Sequence, residues 1–336
     1  MNRFNIRKVA VLGAGVMGAQ IAAHLVNVKV PVVLFDLPAK EGAKNGIVAK
    51  AIDGLKKLKP SPLGLVEDAT LIEQANYEEH LDKLLECDLI IEAIAERMDW
   101  KVALYERIAS AIAPHAIVAS NTSGLSISAM AQALPEAIRE RFCGIHFFNP
   151  PRYMHLVELI ATPSTNPDVL NQLEAFVTST LGKGLVRAKD TPNFIANRVG
   201  IAGMLATMKE AENHGLTFDV VDELTGKKLG RASSGTFRTA DVVGLDTMAH
   251  VIKTLQDGLP DDPFAASLPR LRCSRRCWPR APWGKKQGRA FIKKSAAIFN
   301  GLTSPRATTS ARAARPTPWL SACSKREENL FIIQYE

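Results

Sequence analysis

The chain has 336 residues, of which 46% are hydrophobic. That is enough for one large domain or two ordinary ones with substantial cores, and it excludes disorder of the whole chain. No apolar run reaches the ~18–20 residues that a membrane helix needs, and Met1–Lys8 lacks the apolar core of a secretory signal. The five cysteines show no metal or disulfide spacing up to residue 263, which predicts a cytoplasmic, reducing setting.

The formal net charge of +8 is the sum over two stretches of opposite net charge. Of the 42 Lys and Arg residues, 15 lie between Pro263 and Arg326, where there is no Asp or Glu. Outside that stretch the remaining 27 basic residues are outnumbered by 34 acidic ones. We therefore predict an acidic folded body followed by an atypical basic tail over residues 264–336.

The predicted elements alternate between strand and helix as far as residue 188. Strands are expected at 8–12, 30–36, 88–94, 116–120, 142–148, 155–160 and 184–187, and helices at 17–27, 40–58, 77–85, 99–112 and 166–181. This alternation predicts an α/β domain over residues 1–188, built on a mostly parallel sheet.

The pattern changes after Asp190, where no further strand is expected. Helices are predicted at 192–213, 218–229 and 246–255, with a Gly/Ser-rich turn at 230–235. Residues 189–263 are therefore predicted to form a second, all-helical domain.

A glycine-rich turn joins the first predicted strand to the first predicted helix. Gly13, Gly15 and Gly18 fit the spacing G-x-G-x-x-G, which allows a tight turn, close approach of a pyrophosphate and close helix packing. Asp36 ends the second strand, where a carboxylate accepts hydrogen bonds from an adenosine ribose and repels a 2′-phosphate. The pattern predicts a Rossmann-type domain that binds NAD rather than NADP. The alternative is a turn that only packs the helix, with a solvated Asp36.

Four further motifs occur in order along the chain. They are SNTSGLSIS (120–128), GIHFFNPPRYMHLVELI (144–160), KDTPNFIANR (189–198) and GTFRTADVVGLDT (235–247). With the glycine turn, they resemble the 3-hydroxyacyl-CoA dehydrogenase family from about residue 6 to about 263. The resemblance implies a Rossmann-type domain followed by a helical domain that forms a homodimer. It also implies that the chain oxidises the 3-hydroxyl of an acyl-CoA with NAD, a step of fatty-acid β-oxidation.

The catalytic positions of that family match His146, Glu158, Ser123 and Asn197. Histidine suits the removal of a hydroxyl proton because its ordinary pKa is about 6.5. Glu158 would pair with the other ring nitrogen, and Ser123 and Asn197 would bind the reacting oxygen or position the ring. The alternatives are a structural histidine for His146, a solvated carboxylate for Glu158, a helix cap or turn residue for Ser123, and a packing amide for Asn197.

Two further residues match cofactor contacts of the family. Glu96 and Lys101 correspond to the acid and base that, in relatives, meet the nicotinamide end of NAD; the alternative is a pair of solvated helix charges. No metal site is expected, because no ligand cluster is evident and transfer of a hydride to NAD requires none.

The segment GKKQGRAF (284–291) resembles a family segment of the form GKKTGxGFY, but the sequence around it has no clear period. A reading-frame shift near residue 267 is the preferred explanation. Disorder and a functional tail that binds nucleic acid or anionic membrane are alternatives, although we expect no nucleic-acid partner.

The altered C-terminal end also leaves open other functions for the chain. It could be a catalytically impaired NAD-binding relative, either crystallin-like or a fragment of a bifunctional hydratase/dehydrogenase. Another alternative is a β-hydroxyacid-type dehydrogenase, which uses a lysine instead of the His–Glu pair.

Overall fold

The structure is a computed structural model that describes residues 6–262, and its first part is built on one sheet. The strands are β1 (Val9–Leu12), β2 (Val32–Asp36), β3 (Ile72–Asn76), β4 (Leu89–Glu92), β5 (Ile117–Ser120), β6 (Phe142–Phe147), β7 (Leu156–Ala161) and β8 (Gly184–Ala188). They pair in the order β3-β2-β1-β4-β5-β6-β7-β8. β1 to β6 are parallel, whereas β7 runs antiparallel to β6 and β8 runs parallel to β7.

The direction in which strands are added to this sheet reverses between β1 and β4. Ligands of open parallel sheets bind beyond the carboxyl ends of the strands at such a switch point. The carboxyl edge of β1 and β4 is therefore where a site is expected, and the glycine turn leaves β1 there.

Helices cover both faces of the sheet. They are α1 (Val16–Asn27), α2 (Gly46–Leu55), α3 (Met98–Ile108), α4 (Ile127–Ala131), α5 (Glu136–Arg139) and α6 (Pro167–Ala175). Val9 and Val11 of β1 belong to one buried cluster, whereas Ala10 and Leu12 belong to a second cluster on the opposite face. Burial on both faces explains why the strands read as continuous apolar runs in the sequence.

The second part of the described chain is helical. It consists of α7 (Ala196–Asn213), α8 (Phe218–Leu224), α9 (Phe237–Val243) and α10 (Leu245–Gly258). Its main core joins α7 to α9 and α10 through Ile201, Leu205, Ala240, Met248 and Leu255. No strand follows Ala188 as far as residue 262, so the predicted fold class is confirmed. Across residues 6–262, no helix has the length and apolar character that crossing a bilayer requires.

Several details of the sequence prediction are wrong. The helix predicted at 77–85 is a short 3-10 helix at Leu81–Glu86, and the strand β3 before it was missed. β3 has the sequence IEQAN and forms the edge of the sheet, so it lacks the apolar run that identified the other strands. α9 was also missed, and α2 is shorter than the predicted 40–58. The predicted basic tail, 264–336, lies outside the described residues.

Candidate active site

His146 and Glu158 face each other across two antiparallel strands. They are direct partners in the register of β6 and β7, and His146 Nδ1 lies 2.7 Å from Glu158 Oε2. The His146 residue is 5% exposed and Glu158 is fully buried. An ionised carboxylate only accepts hydrogen bonds, so Nδ1 carries the proton and Nε2 remains a proton acceptor.

The second oxygen of Glu158 binds the helical domain. Oε1 accepts hydrogen bonds from the backbone N–H groups of Ile195 and Ala196, at 2.9 and 2.8 Å, where α7 begins. Burial raises the pKa of Glu158, but the hydrogen bonds from His146 and these two N–H groups outweigh it and the net pKa is lowered. The carboxylate therefore stays ionised beside the imidazole.

Asn197 lies on α7, directly after Ala196, and so comes within one residue of the Glu158 contacts. Its side chain is half-buried. The amide forms no hydrogen bond with any residue in the range 6–262, which leaves it available to a ligand.

Ser123 lies on the loop after β5 and is held by Glu96. Glu96 Oε1 accepts hydrogen bonds from the hydroxyls of Thr122 (2.6 Å) and Ser123 (3.2 Å). It also accepts from the backbone N–H groups of Ser123 (2.9 Å) and Gly124 (3.0 Å). Because β5 pairs with β6, this loop and His146 lie at the same edge of the sheet. The helix cap of α4 is Ser126, so Ser123 does not cap that helix.

Lys101 is buried under this loop in an ion pair. Its Nζ lies 2.6 Å from Glu92 Oε1 and 3.8 Å from Glu96 Oε2. Glu92 also accepts hydrogen bonds from Ser120 Oγ (2.6 Å) and from Tyr105 OH (3.1 Å). Lys101 and Glu92 are both fully buried, so Lys101 is not the solvated helix charge of the alternative interpretation.

The glycine turn between β1 and α1 is tightly packed at two of its glycines and open at the third. Gly13 has φ +105°, and a Cβ on Gly18 would lie 1.8 Å from the Gly13 carbonyl oxygen, so neither position accepts a side chain. A Cβ on Gly15 would meet nothing within 4 Å, which leaves open space above the N-terminus of α1. Asp36 Oδ2 accepts a hydrogen bond from the Ala14 N–H at 2.6 Å, so its carboxylate lies beside the turn.

Comparison with known proteins places these features in a family. The family model described as 3-hydroxyacyl-CoA dehydrogenase, NAD binding domain, matches residues 8–191, and the model of the C-terminal domain matches 194–294. The chain belongs to the 3-hydroxyacyl-CoA dehydrogenase family. The two matches meet at the junction between the sheet domain and α7. The second extends beyond residue 263, so it includes part of the segment that the charge pattern set apart.

Individual relatives agree with this assignment. A probable 3-hydroxyacyl-CoA dehydrogenase of Deinococcus radiodurans is 41% identical over 321 residues, covering 94% of this chain and 92% of the relative. One from Bacillus subtilis is 39% identical over 337 residues, covering 96% of this chain but 42% of the relative, so the chain spans less than half of that protein. The crystal structure of FadB2 from M. tuberculosis superposes with a TM-score of 0.67 at 29% identity, covering 85% of this chain and 98% of that one.

The family match confirms the prediction of NAD as cofactor, and the described residues fit it. The open space over Gly15 admits a pyrophosphate at the positive end of α1, and the first turn of that helix contains no acidic residue that would repel it.

Sequence reasoning missed three residues at this site. Glu92 was read only as part of a buried strand, although a carboxylate inside the apolar run LIIEAI is itself a signal. Asn193 and Phe194, which precede α7, were read as part of the helix. No pattern in the sequence distinguishes the left-handed backbone that they adopt.

Proposed function

We propose that this chain oxidises the 3-hydroxyl of an acyl-CoA to a 3-ketoacyl-CoA with NAD, and that His146 is the base that removes the hydroxyl proton. One observation carries the assignment of the base: the 2.7 Å contact between His146 Nδ1 and the buried carboxylate of Glu158. In the neutral ring that contact places the proton on Nδ1 and leaves Nε2 as the acceptor, and it stabilises the imidazolium that forms when Nε2 takes up a proton.

The reaction requires a proton to leave the hydroxyl while carbon 3 is oxidised. Bound NAD would supply the acceptor for the hydride that leaves carbon 3. Nε2 of His146 takes the hydroxyl proton as the C–O bond becomes a carbonyl, and Glu158 offsets the positive charge on the ring. In the reverse direction the protonated ring returns the proton to the alcohol oxygen.

Ser123 and Asn197 are proposed to hydrogen-bond the reacting oxygen from two sides. Ser123 lies on the Glu96-bound loop at the edge of the sheet, and Asn197 comes from the first turn of α7. A site assembled from both domains excludes water around the reacting atoms.

The cofactor would occupy the edge between these residues and the glycine turn. Gly13, Gly15 and Gly18 are proposed to leave room for the pyrophosphate, and Asp36 to bind the adenosine ribose. Glu96 and Lys101 are proposed to lie toward the nicotinamide end, with Lys101 held by Glu92.

The finer predictions about partners also belong to this proposal. The substrate is an acyl-CoA, the helical domain forms a homodimer, and the protein is cytoplasmic.

The test is reduction of acetoacetyl-CoA by the full chain, followed as loss of NADH absorbance. His146→Ala is expected to lower kcat by about 10²–10⁴, because a positioned base contributes about that much. His250→Ala, which changes an exposed histidine on α10, is the matched control and keeps full turnover. NADH binding without turnover would identify an impaired relative instead. Equal activity on the free 3-hydroxy acid would reject the CoA ester as substrate.

A further inference from the structure

The turn that leads into α7 has an unusual backbone. Asn193 and Phe194 have φ values of +61° and +48°, and both are 2% exposed. Left-handed backbone is unfavourable for residues other than glycine, and least so for asparagine. Phe194 gains nothing from such a conformation by itself, so the surrounding structure must impose it.

The residues of this turn contact both members of the His146–Glu158 pair. The Phe194 ring lies 5.6 Å from the His146 ring, centroid to centroid. The next two residues, Ile195 and Ala196, donate their N–H groups to Glu158 Oε1. These two bonds fix one carboxylate oxygen, so the other oxygen is held toward His146 Nδ1.

The Asn193 side chain connects the turn to its neighbours. Its Nδ2 donates to the Val251 carbonyl of α10 at 3.2 Å. Its Oδ1 lies against the Ser123 loop, because a Cβ on Gly124 would come within 2.9 Å of it. Asn193 therefore lies between α10 and the loop that carries Ser123.

We propose that Asn193 is a positioning residue for the reaction: its left-handed backbone aims the Ile195 and Ala196 N–H groups at Glu158 and thereby sets the orientation of His146. This role rests on the function proposed above. It predicts that the backbone conformation at residue 193 matters more for turnover than the amide does.

A substitution series in the full chain separates the two. Asn193→Gly keeps the left-handed backbone and is expected to keep kcat within about threefold. Asn193→Ala is expected to lower kcat about tenfold, and Asn193→Val about a hundredfold, because a β-branched residue is least tolerated there. The KM for acetoacetyl-CoA stays within about threefold in all three, since these residues orient the base and not the CoA.

A second measurement does not depend on turnover. With ¹⁵N-labelled histidine, the downfield proton resonance of the His146 ring Nδ1–H, assigned by its loss in His146→Ala, reports the hydrogen bond to Glu158. It is expected to persist in Asn193→Gly and to be lost in Asn193→Val. If the unaltered chain did not reduce acetoacetyl-CoA, the proposed function would fail, while the resonance would still decide whether Asn193 positions the pair.

Two results would overturn the proposal. One is a folded Asn193→Val chain that retains both kcat and the resonance; the other is an Asn193→Gly chain that loses both. If Asn193→Val does not fold, the comparison of Asn193→Ala with Asn193→Gly decides in the same way.

A second pair of variants checks the contact with the loop: Gly124→Ala lowers kcat by displacing Asn193 Oδ1, and adding Asn193→Gly restores it. A Gly124→Ala loss that persists in the Asn193→Gly background contradicts the packing argument.

Discussion

Replacing Glu158 by glutamine is the most selective perturbation of the proposed base, because the structure dictates how the new amide must lie. Oε1 accepts from two backbone N–H groups, so the amide oxygen takes that position. The NH₂ group then takes the position of Oε2, 2.7 Å from His146 Nδ1. Since NH₂ only donates, Nδ1 must become the acceptor and the ring proton moves to Nε2.

The consequence is a ring with the wrong nitrogen protonated. Nε2 then carries a proton in the neutral state and does not accept one from the substrate hydroxyl. The same change of tautomer in Ser-His-Asp triads lowers kcat by about 10⁴, and we expect a loss of about 10³–10⁴ here. Glu158→Gln preserves the shape of the side chain and both contacts to α7, so the loss is not expected to come from unfolding.

The assay measures kcat and KM for oxidation of 3-hydroxybutyryl-CoA by NAD, the direction in which Nε2 must accept a proton, with a thermal shift by NADH to verify cofactor binding. Glu158→Gln is expected to bind NADH like the unaltered chain. Glu158→Ala, which removes both functions of the carboxylate, is expected to lose stability as well as activity. A Glu158→Gln chain that keeps kcat within about tenfold would refute the role of the tautomer.

Three further predictions concern stability and cofactor choice. Burial lowers the pKa of His24 to about 4, and the Lys183 charge adds to this effect. The stabilisation that comes from keeping His24 neutral is therefore fully present above pH 6.5, and the free energy of unfolding falls by about 3 kcal/mol as the pH drops from 6.5 to 4. His24→Gln should remove that part of the pH dependence in urea titrations. Asp36→Asn should reduce the preference for NADH over NADPH about tenfold, measured as the ratio of kcat/KM, because the 2′-phosphate is no longer repelled. Glu92→Gln and Lys101→Met should each cost about 3–5 kcal/mol in urea unfolding, because either leaves a buried charge without its partner, whereas the double variant should recover most of the loss.

Each of these has an outcome that contradicts it. The His24 prediction is wrong if the variant and the unaltered chain lose stability in parallel between pH 6.5 and 4. An unchanged cofactor ratio would show that Asp36 does not face the ribose. Additive losses in the double variant would mean that Glu92 and Lys101 do not interact.

Much of the sheet domain could be predicted from sequence because its strands are buried on both faces. β1 and β4 appear as apolar runs, and the glycine turn between β1 and α1 has a strict spacing. β3 could not be predicted in the same way, because an edge strand needs only part of its residues to be apolar.

Prediction of the site shows the same limit. The pairing of His146 with Glu158 was expected from the motifs that resemble the family and is present in the structure; the roles of these residues remain to be tested. The Asn193 turn and the Glu92–Lys101 pair were not predicted. The first depends on backbone angles, and the second joins a strand to the helix that follows it, so neither leaves a periodic pattern.

The antiparallel pairing of β6 and β7 determines which changes the site can tolerate. His146 and Glu158 are held opposite each other by the ladder, and the connection 148–155 is itself fixed, because Lys183 Nζ donates to the carbonyls of Pro151 and Met154. A shift of one residue within either strand would turn one member of the pair to the opposite face of the sheet.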